Sequence, residues 1–164
     1  MKRLTLIRHG KSDWHSPVDS DFDRPLNERG KKAAVTMGER LAAADKIPGL
    51  LVSSPAKRAR TTARLIAREL DYPEQKIVFA AEIYDAALET LIELLCSIDD
   101  KVEQLLMVGH NPGFSELGQW LSNAAPDWLP TCGQLELELP IDSWTDAEEA
   151  CARLLAYDYP KRPA

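Results

Sequence analysis

Two histidines in the chain sit in matching surroundings. His9 lies between Arg8 and Gly10 where the apolar run "LTLI" ends, and His110 follows Gly109 at the end of a second apolar run, "QLLMVGH". Between them, "SSPAKRARTTA" brings Lys57, Arg58 and Arg60, with Arg64 just beyond, into the first turns of a helix. A neutral imidazole offers a nitrogen lone pair, and a guanidinium offers a planar fork that fits phosphate oxygens. A helix N-terminus adds free N–H groups and the positive end of its dipole. Glycine beside each histidine lets backbone and ligand approach closely. Taken singly, each histidine reads as an idle, hydrogen-bonded side chain, and a cationic helix turn reads as a solvated face. Together they read as a phosphate site. His15 lies in a polar loop with no strand before it and reads as surface or rim.

These residues need elements to position them. Leu4 to Arg8 is expected as a strand. "SDWHSPVDSDFDRPL" is a loop, and Asn27 caps a helix running from residue 28 to about 46. Gly30 is awkward but tolerated in its first turn. Ala33, Ala34, Met37 and Leu41 share one face of that helix. "GLLVSS" is a second strand, with Pro55 in the first turn of the helix after it. Ala59, Thr62, Ala63, Ile66 and Leu70 point inward from that helix. "KIVFA" is a short strand, "LETLIELLCSI" a helix, "QLLMVGH" a strand and "NPGFSELGQWLSN" a helix. "QLELELPI" alternates and reads as an antiparallel or near-edge strand with one wet face, and "ARLLAYDY" as a last strand. Alternating strands and helices predict an α/β three-layer sandwich, a mostly parallel central sheet flanked by helices. Ligands in such sheets sit beyond the carboxyl ends of the strands, so "RHG", "SSP" and "VGHNP" should converge on one rim.

A chain of 164 residues with 45 % hydrophobic composition suits one domain spanning residues 1–164 with one core. The net charge of -6 argues against a nucleic-acid partner, although arginines can still focus an anion in a pocket. The N-terminus lacks the form of a signal peptide, and no segment is long enough to span a membrane. Cys96, Cys132 and Cys151 are odd in number and scattered, which suits reduced thiols in a cytoplasmic protein. No long apolar surface is evident, so a monomer is expected. "GKS" at residues 10–12 is not a P-loop, because Thr5 stands where that motif needs glycine. The histidines lack metal-site spacing, so neither metal nor cofactor is expected.

"LIRHG", "SSPAKRARTTA" and "VGHNPG", in that order, resemble the histidine phosphatase superfamily, also called phosphoglycerate-mutase-like. The short chain, "DFDRPLNERG", "EIYDA" and "PTCG" are similar to its SixA-type phosphohistidine phosphatase branch. The resemblance implies that His9 is the nucleophile that becomes phosphorylated. It implies further that Arg8, Arg58 and His110 bind the phosphoryl group, and that no metal takes part. A phosphoryl group in transfer spreads charge over three oxygens, so catalysis by such a set is positioning and charge stabilisation. A backbone carbonyl near Gly10 would fix the tautomer of His9.

Many superfamily members use a carboxylic acid to protonate the leaving oxygen. Glu82 is the best positional candidate, followed by Asp13, and each could equally be a surface carboxylate. Arg24 could line the rim, Thr61 stands where relatives carry glutamine, and Cys132 reads as packing. Trp120, Trp128 and Trp144 read as core or rim packing. The expected substrate is a phosphorylated protein bearing phosphohistidine. The alternatives are a small phosphate ester handled by a broader phosphomonoesterase or mutase, and a phosphoprotein-binding module without catalysis.

Overall fold

A computed structural model describes residues 1–163. Its centre is a six-stranded sheet. β1 (Lys2–Arg8) and β4 (Gln104–Gly109) pair in parallel at its middle. β2 (Leu50–Ser53) continues in parallel on the other side of β4, and β3 (Val78–Phe79) forms that edge. β5 (Gln134–Leu139) runs antiparallel to β1, and β6 (Arg153–Asp158) antiparallel to β5. The order is β3-β2-β4-β1-β5-β6, with β5 alone reversed.

The middle strands are covered on both faces, which is why they read as unbroken apolar runs rather than alternating ones. Leu4, Leu6, Leu105 and Met107 join the cluster under α3 (Leu88–Cys96) and α4 (Gly113–Leu121). Ile7, Leu106 and Val108 join the opposite cluster, under α2 (Lys57–Glu69). α1 (Glu28–Ala43) packs on α2, burying Ala34, Met37 and Leu41 as its spacing predicts. β5 alternates as expected: Leu135, Leu137 and Leu139 are buried, while Gln134, Glu136 and Glu138 are partly exposed. The α/β sandwich with a mixed, mostly parallel sheet is thus the observed fold.

Some boundaries differ from the sequence reading. Pro55 lies outside α2, before its cap residue Ala56, whose backbone is still non-helical with φ -56° and ψ 140°. α1 ends at Ala43 rather than near residue 46, and Asp45 then takes a positive φ of 57°. Asn27 does cap α1, its Oδ1 accepting from the Gly30 N–H at 2.8 Å. Gly30 has a sharper role than tolerance. A Cβ there would stand 2.2 Å from the Lys11 carbonyl oxygen, so α1 starts in direct contact with the chain leaving β1.

Candidate active site

β2, β4 and β1 are neighbours and parallel, so their C-terminal ends lie side by side. β1 delivers Arg8 and His9, β4 delivers His110, and β2 delivers Ser54 and the start of α2, which carries Arg58. His9, Arg58 and His110 are each less than 10 % exposed. The ring centroids of His9 and His110 are 5.1 Å apart. The four residues singled out by sequence are therefore brought together, and they line one cavity of about 290 Å³.

The tautomer of His9 follows from its partners. Nδ1 lies 2.7 Å from the Gly10 carbonyl oxygen, which can only accept, so Nδ1 carries the proton and donates it. Nε2 is left with its lone pair and accepts from Arg58 Nε at 3.4 Å. Burial, with the charges of Arg58 and Arg8 nearby, pushes the His9 pKa down to about 3. Burial and Arg58 push that of His110 down to about 4. Both rings are neutral at neutral pH. Nε2 of His110 pairs with Ser54 Oγ at 2.7 Å.

The loop after β1 is fastened to α2. Thr62 Oγ1 accepts from the Gly10 N–H at 3.0 Å and donates to the Arg58 carbonyl at 2.8 Å. Arg8 donates through one terminal nitrogen to the Leu129 carbonyl at 3.0 Å, and the Cys132 N–H donates to the carbonyls of Arg8 and His9. Burial and the proximity of Arg58 lower the pKa of Arg8. Arg8 Nε, Arg24 Nε and His110 Nδ1 are buried nitrogens with no hydrogen-bond partner among the described residues. Unpaired buried polar atoms are costly. Three of them around one cavity suit an oxyanion ligand.

Sequence reasoning missed the residue that organises the arginines. Asp21, on a short 3-10 turn (Asp21–Asp23), accepts from Arg58 at 3.0 Å, from Arg24 at 2.8 Å and from the Tyr84 hydroxyl at 2.8 Å. Its backbone carbonyl accepts from Arg58 at 2.7 Å. Both terminal nitrogens of Arg58 are thereby occupied, which leaves Nε directed at His9. Burial works against ionisation of Asp21, but Tyr84 and Arg58 outweigh it and hold its pKa below the ordinary carboxylate value. Arg24, read as a rim residue, is buried in the cavity wall. It donates to Ser12 Oγ at 2.8 Å and lies 3.5 Å from the ring of Trp14. The only sequence signal for this group was the acidic run before Arg24 in "DFDRPL".

Other candidates fall outside the cavity. Glu82 is exposed: on the 3-10 turn Ala81–Ile83, Ile83 takes the core position, and Tyr84 rather than Glu82 reaches the site. Asp13 caps its own loop, accepting from the His15 N–H at 2.9 Å, and His15 is exposed. Lys57 and Arg64 are exposed on α2. Cys132 is fully buried, with its thiol pushed up to about 12, so it packs and does not react. Trp144 is core, and Trp128 sits over Arg8 at the rim. Among the described residues no group of three or more His, Cys, Asp or Glu side chains could hold a metal ion.

Residues 4–91 match the sequence profile of the histidine phosphatase superfamily (branch 1). An uncharacterized protein of Mycobacterium tuberculosis is 32 % identical, over 94 % of this chain and 100 % of its own length. A crystal structure from Agrobacterium tumefaciens, described as a candidate SixA phosphohistidine phosphatase, is 30 % identical with a TM-score of 0.82. It covers 97 % of this chain and 98 % of its own. A metal-independent phosphoserine phosphatase of Arabidopsis thaliana is 37 % identical over 43 % of this chain and 30 % of its own length.

Proposed function

Because the chain belongs to the histidine phosphatase superfamily, we propose that it hydrolyses a phosphoryl group from phosphohistidine on a protein, through a covalent intermediate on His9. The observation that carries this reading is the hydrogen bond from His9 Nδ1 to the Gly10 carbonyl. It leaves Nε2 unprotonated beside Arg58. In the first step Nε2 forms a bond to phosphorus while the bond to the leaving nitrogen breaks, and the departing imidazole takes a proton from solvent. In the second, water attacks phosphorus, the bond to His9 breaks, and inorganic phosphate leaves with the proton. One hard displacement becomes two easier ones.

Arg8, Arg24 and Arg58 supply positive charge to the equatorial oxygens. His110 is held through Nε2, which pairs with Ser54 Oγ, and its Nδ1 has no partner among the described residues; in the tautomer protonated at Nδ1 the ring donates to the phosphoryl group. Each of these groups is held by packing before substrate arrives, so little reorganisation accompanies transfer.

Among the described residues no aspartate or glutamate lines the cavity to protonate a leaving group. Asp21 is held ionised by its partners and Glu82 is exposed. An alkoxide leaves poorly without an acid, whereas the imidazole of phosphohistidine is a better leaving group. This supports phosphohistidine over phosphate esters of small metabolites. The exposed Trp14 and Trp128 beside the site suit contact with a protein surface.

The test is labelling and turnover. A phosphohistidine protein carrying labelled phosphate should leave an acid-labile, base-stable label on wild-type protein after rapid quenching, and none on His9→Ala. Chelator should not slow turnover of an aryl phosphate. Undiminished turnover by His9→Ala would overturn the mechanism, and a strong preference for sugar phosphates or phosphoglycerates would overturn the substrate.

A further inference from the structure

A second cavity, about 580 Å³ and twice the size of the catalytic one, opens beside it. The two share Lys11 and Thr131 as lining residues. One wall is a face of α1 carrying Arg29, Lys32, Ala33 and Thr36, which recur at helical spacing. The opposite wall is the end of β6 and the segment after it, with Tyr157, Tyr159 and Lys161. The rings of Tyr157 and Tyr159 lie 5.3 Å apart.

The charge of this cavity is one-sided. Lys11, Arg29, Lys32 and Lys161 line it, and among the described residues no aspartate or glutamate does. All four cations are exposed, and among the described residues none of them makes an ion pair or a side-chain hydrogen bond. Nearby Lys31 differs, since it pairs with Glu28 at 3.4 Å. In a chain of net charge -6, four free cations from three separate segments around one hollow form a concentrated positive field.

We propose that this cavity is an exosite for acidic side chains that flank the phosphorylated residue on the substrate protein. The proposal rests on the reading of the neighbouring pocket as a protein phosphatase site and adds a sequence preference to it. Dispersed cations on flexible stems suit several separate carboxylates better than one compact anion. The tyrosine rings and Pro130 give the apolar stems of glutamates a surface to lie on. Because the cavity adjoins the catalytic pocket through Lys11, a chain whose phosphohistidine enters that pocket passes its neighbouring residues over these cations. Contacts of this kind act on encounter and binding and leave the chemical step alone.

The experiment compares wild type with Lys32→Glu/Lys161→Glu, which changes neither residue of the shared boundary. With an aryl phosphate the two proteins should show the same kcat/KM, which also establishes that the variant is folded. With a phosphohistidine peptide flanked by glutamates, the variant should show a KM raised about tenfold or more at low salt, with kcat unchanged. That difference should fade in high salt and be absent for a peptide flanked by alanines. Independently of catalysis, the unphosphorylated glutamate peptide, titrated into wild type, should shift the amide resonances of Ala33, Thr36, Tyr157 and Tyr159. Equal KM values for the two proteins, or no shifts at these residues, would overturn the exosite. Shifts from a nucleoside triphosphate and none from the peptide would also overturn it, assigning the cavity to a small anion. If wild type cleaves the aryl phosphate but neither phosphopeptide, the phosphohistidine reading falls, and the peptide titration still decides the cavity.

Discussion

At the scale of single residues, the site depends on two rings kept uncharged among arginines. Their depressed pKa values, about 3 for His9 and about 4 for His110, predict that ring resonances of both will stay unshifted on acidification through neutral pH. Their midpoints should fall below about pH 5, well under the ordinary histidine value. Heteronuclear NMR of the imidazole nitrogens measures this directly. A second expectation concerns Asp21. Asp21→Asn should lower kcat/KM on an aryl phosphate about tenfold, because charge-assisted bonds that orient Arg58 become weaker neutral ones. Steady-state kinetics check it, and an unchanged value would mean that Arg58 needs no such support. His9 and His110 were legible in sequence because each follows an apolar run and adjoins a glycine; Arg8 was legible as the neighbour of His9, and Arg58 was separated from Lys57, Arg60 and Arg64 only by the resemblance of "SSPAKRARTTA" to the family. Asp21 was not legible. Its contacts with Arg58 and Tyr84 span 37 and 63 positions, and nothing local to a polar loop announces that it folds back over a helix.

At the scale of elements, the catalytic segment is held where α1, α2 and the end of β1 meet. Gly30→Ala tests that junction. Alanine favours a helix by about 1 kcal/mol over glycine. Against this, its Cβ would stand 2.2 Å from the Lys11 carbonyl, and overpacking of that kind costs roughly 1–3 kcal/mol. A backbone atom cannot swing aside as a side-chain tip can, so the clash should win. The variant should unfold at lower urea, and its kcat should fall with it, since Lys11 is joined to Gly10. Thr62→Val probes the same junction by removing the acceptor of the Gly10 N–H. A buried donor left unpaired costs about 1–3 kcal/mol, and denaturant melts would report it. Element types and their order were readable from periodicity, and so was the rim where three strands end. The exit of β2 was misjudged at Pro55, because proline fixes its own φ but does not say on which side of a helix boundary it lies. The exposure of Glu82 went unread for a related reason, since the phase of a three-residue turn cannot be inferred from spacing.

At the scale of the whole molecule, the neutral histidines tie stability to pH. Above pH 6.5 both are uncharged whether the chain is folded or not, and they contribute no pH dependence. As pH falls below 6.5, the unfolded chain takes up protons that the folded one refuses until pH approaches 4 and then 3. Stability is therefore lost on acidification through this window. The unfolding free energy from urea melts should fall more steeply between about pH 6.5 and pH 4.5 for wild type than for His9→Gln/His110→Gln, in which both titrating rings are gone. Identical slopes would show that other groups carry the dependence. Arg8, Arg24 and Arg58 all line the small cavity beside His9. That crowding has an effect at the far end of the catalytic cycle. Guanidinium groups arranged to grip a phosphoryl oxygen fit free orthophosphate by the same contacts, so in the proposed reaction the spent anion should compete with each new substrate. On that reading, throughput would depend on the phosphate concentration of the surroundings as well as on the supply of phosphorylated substrate.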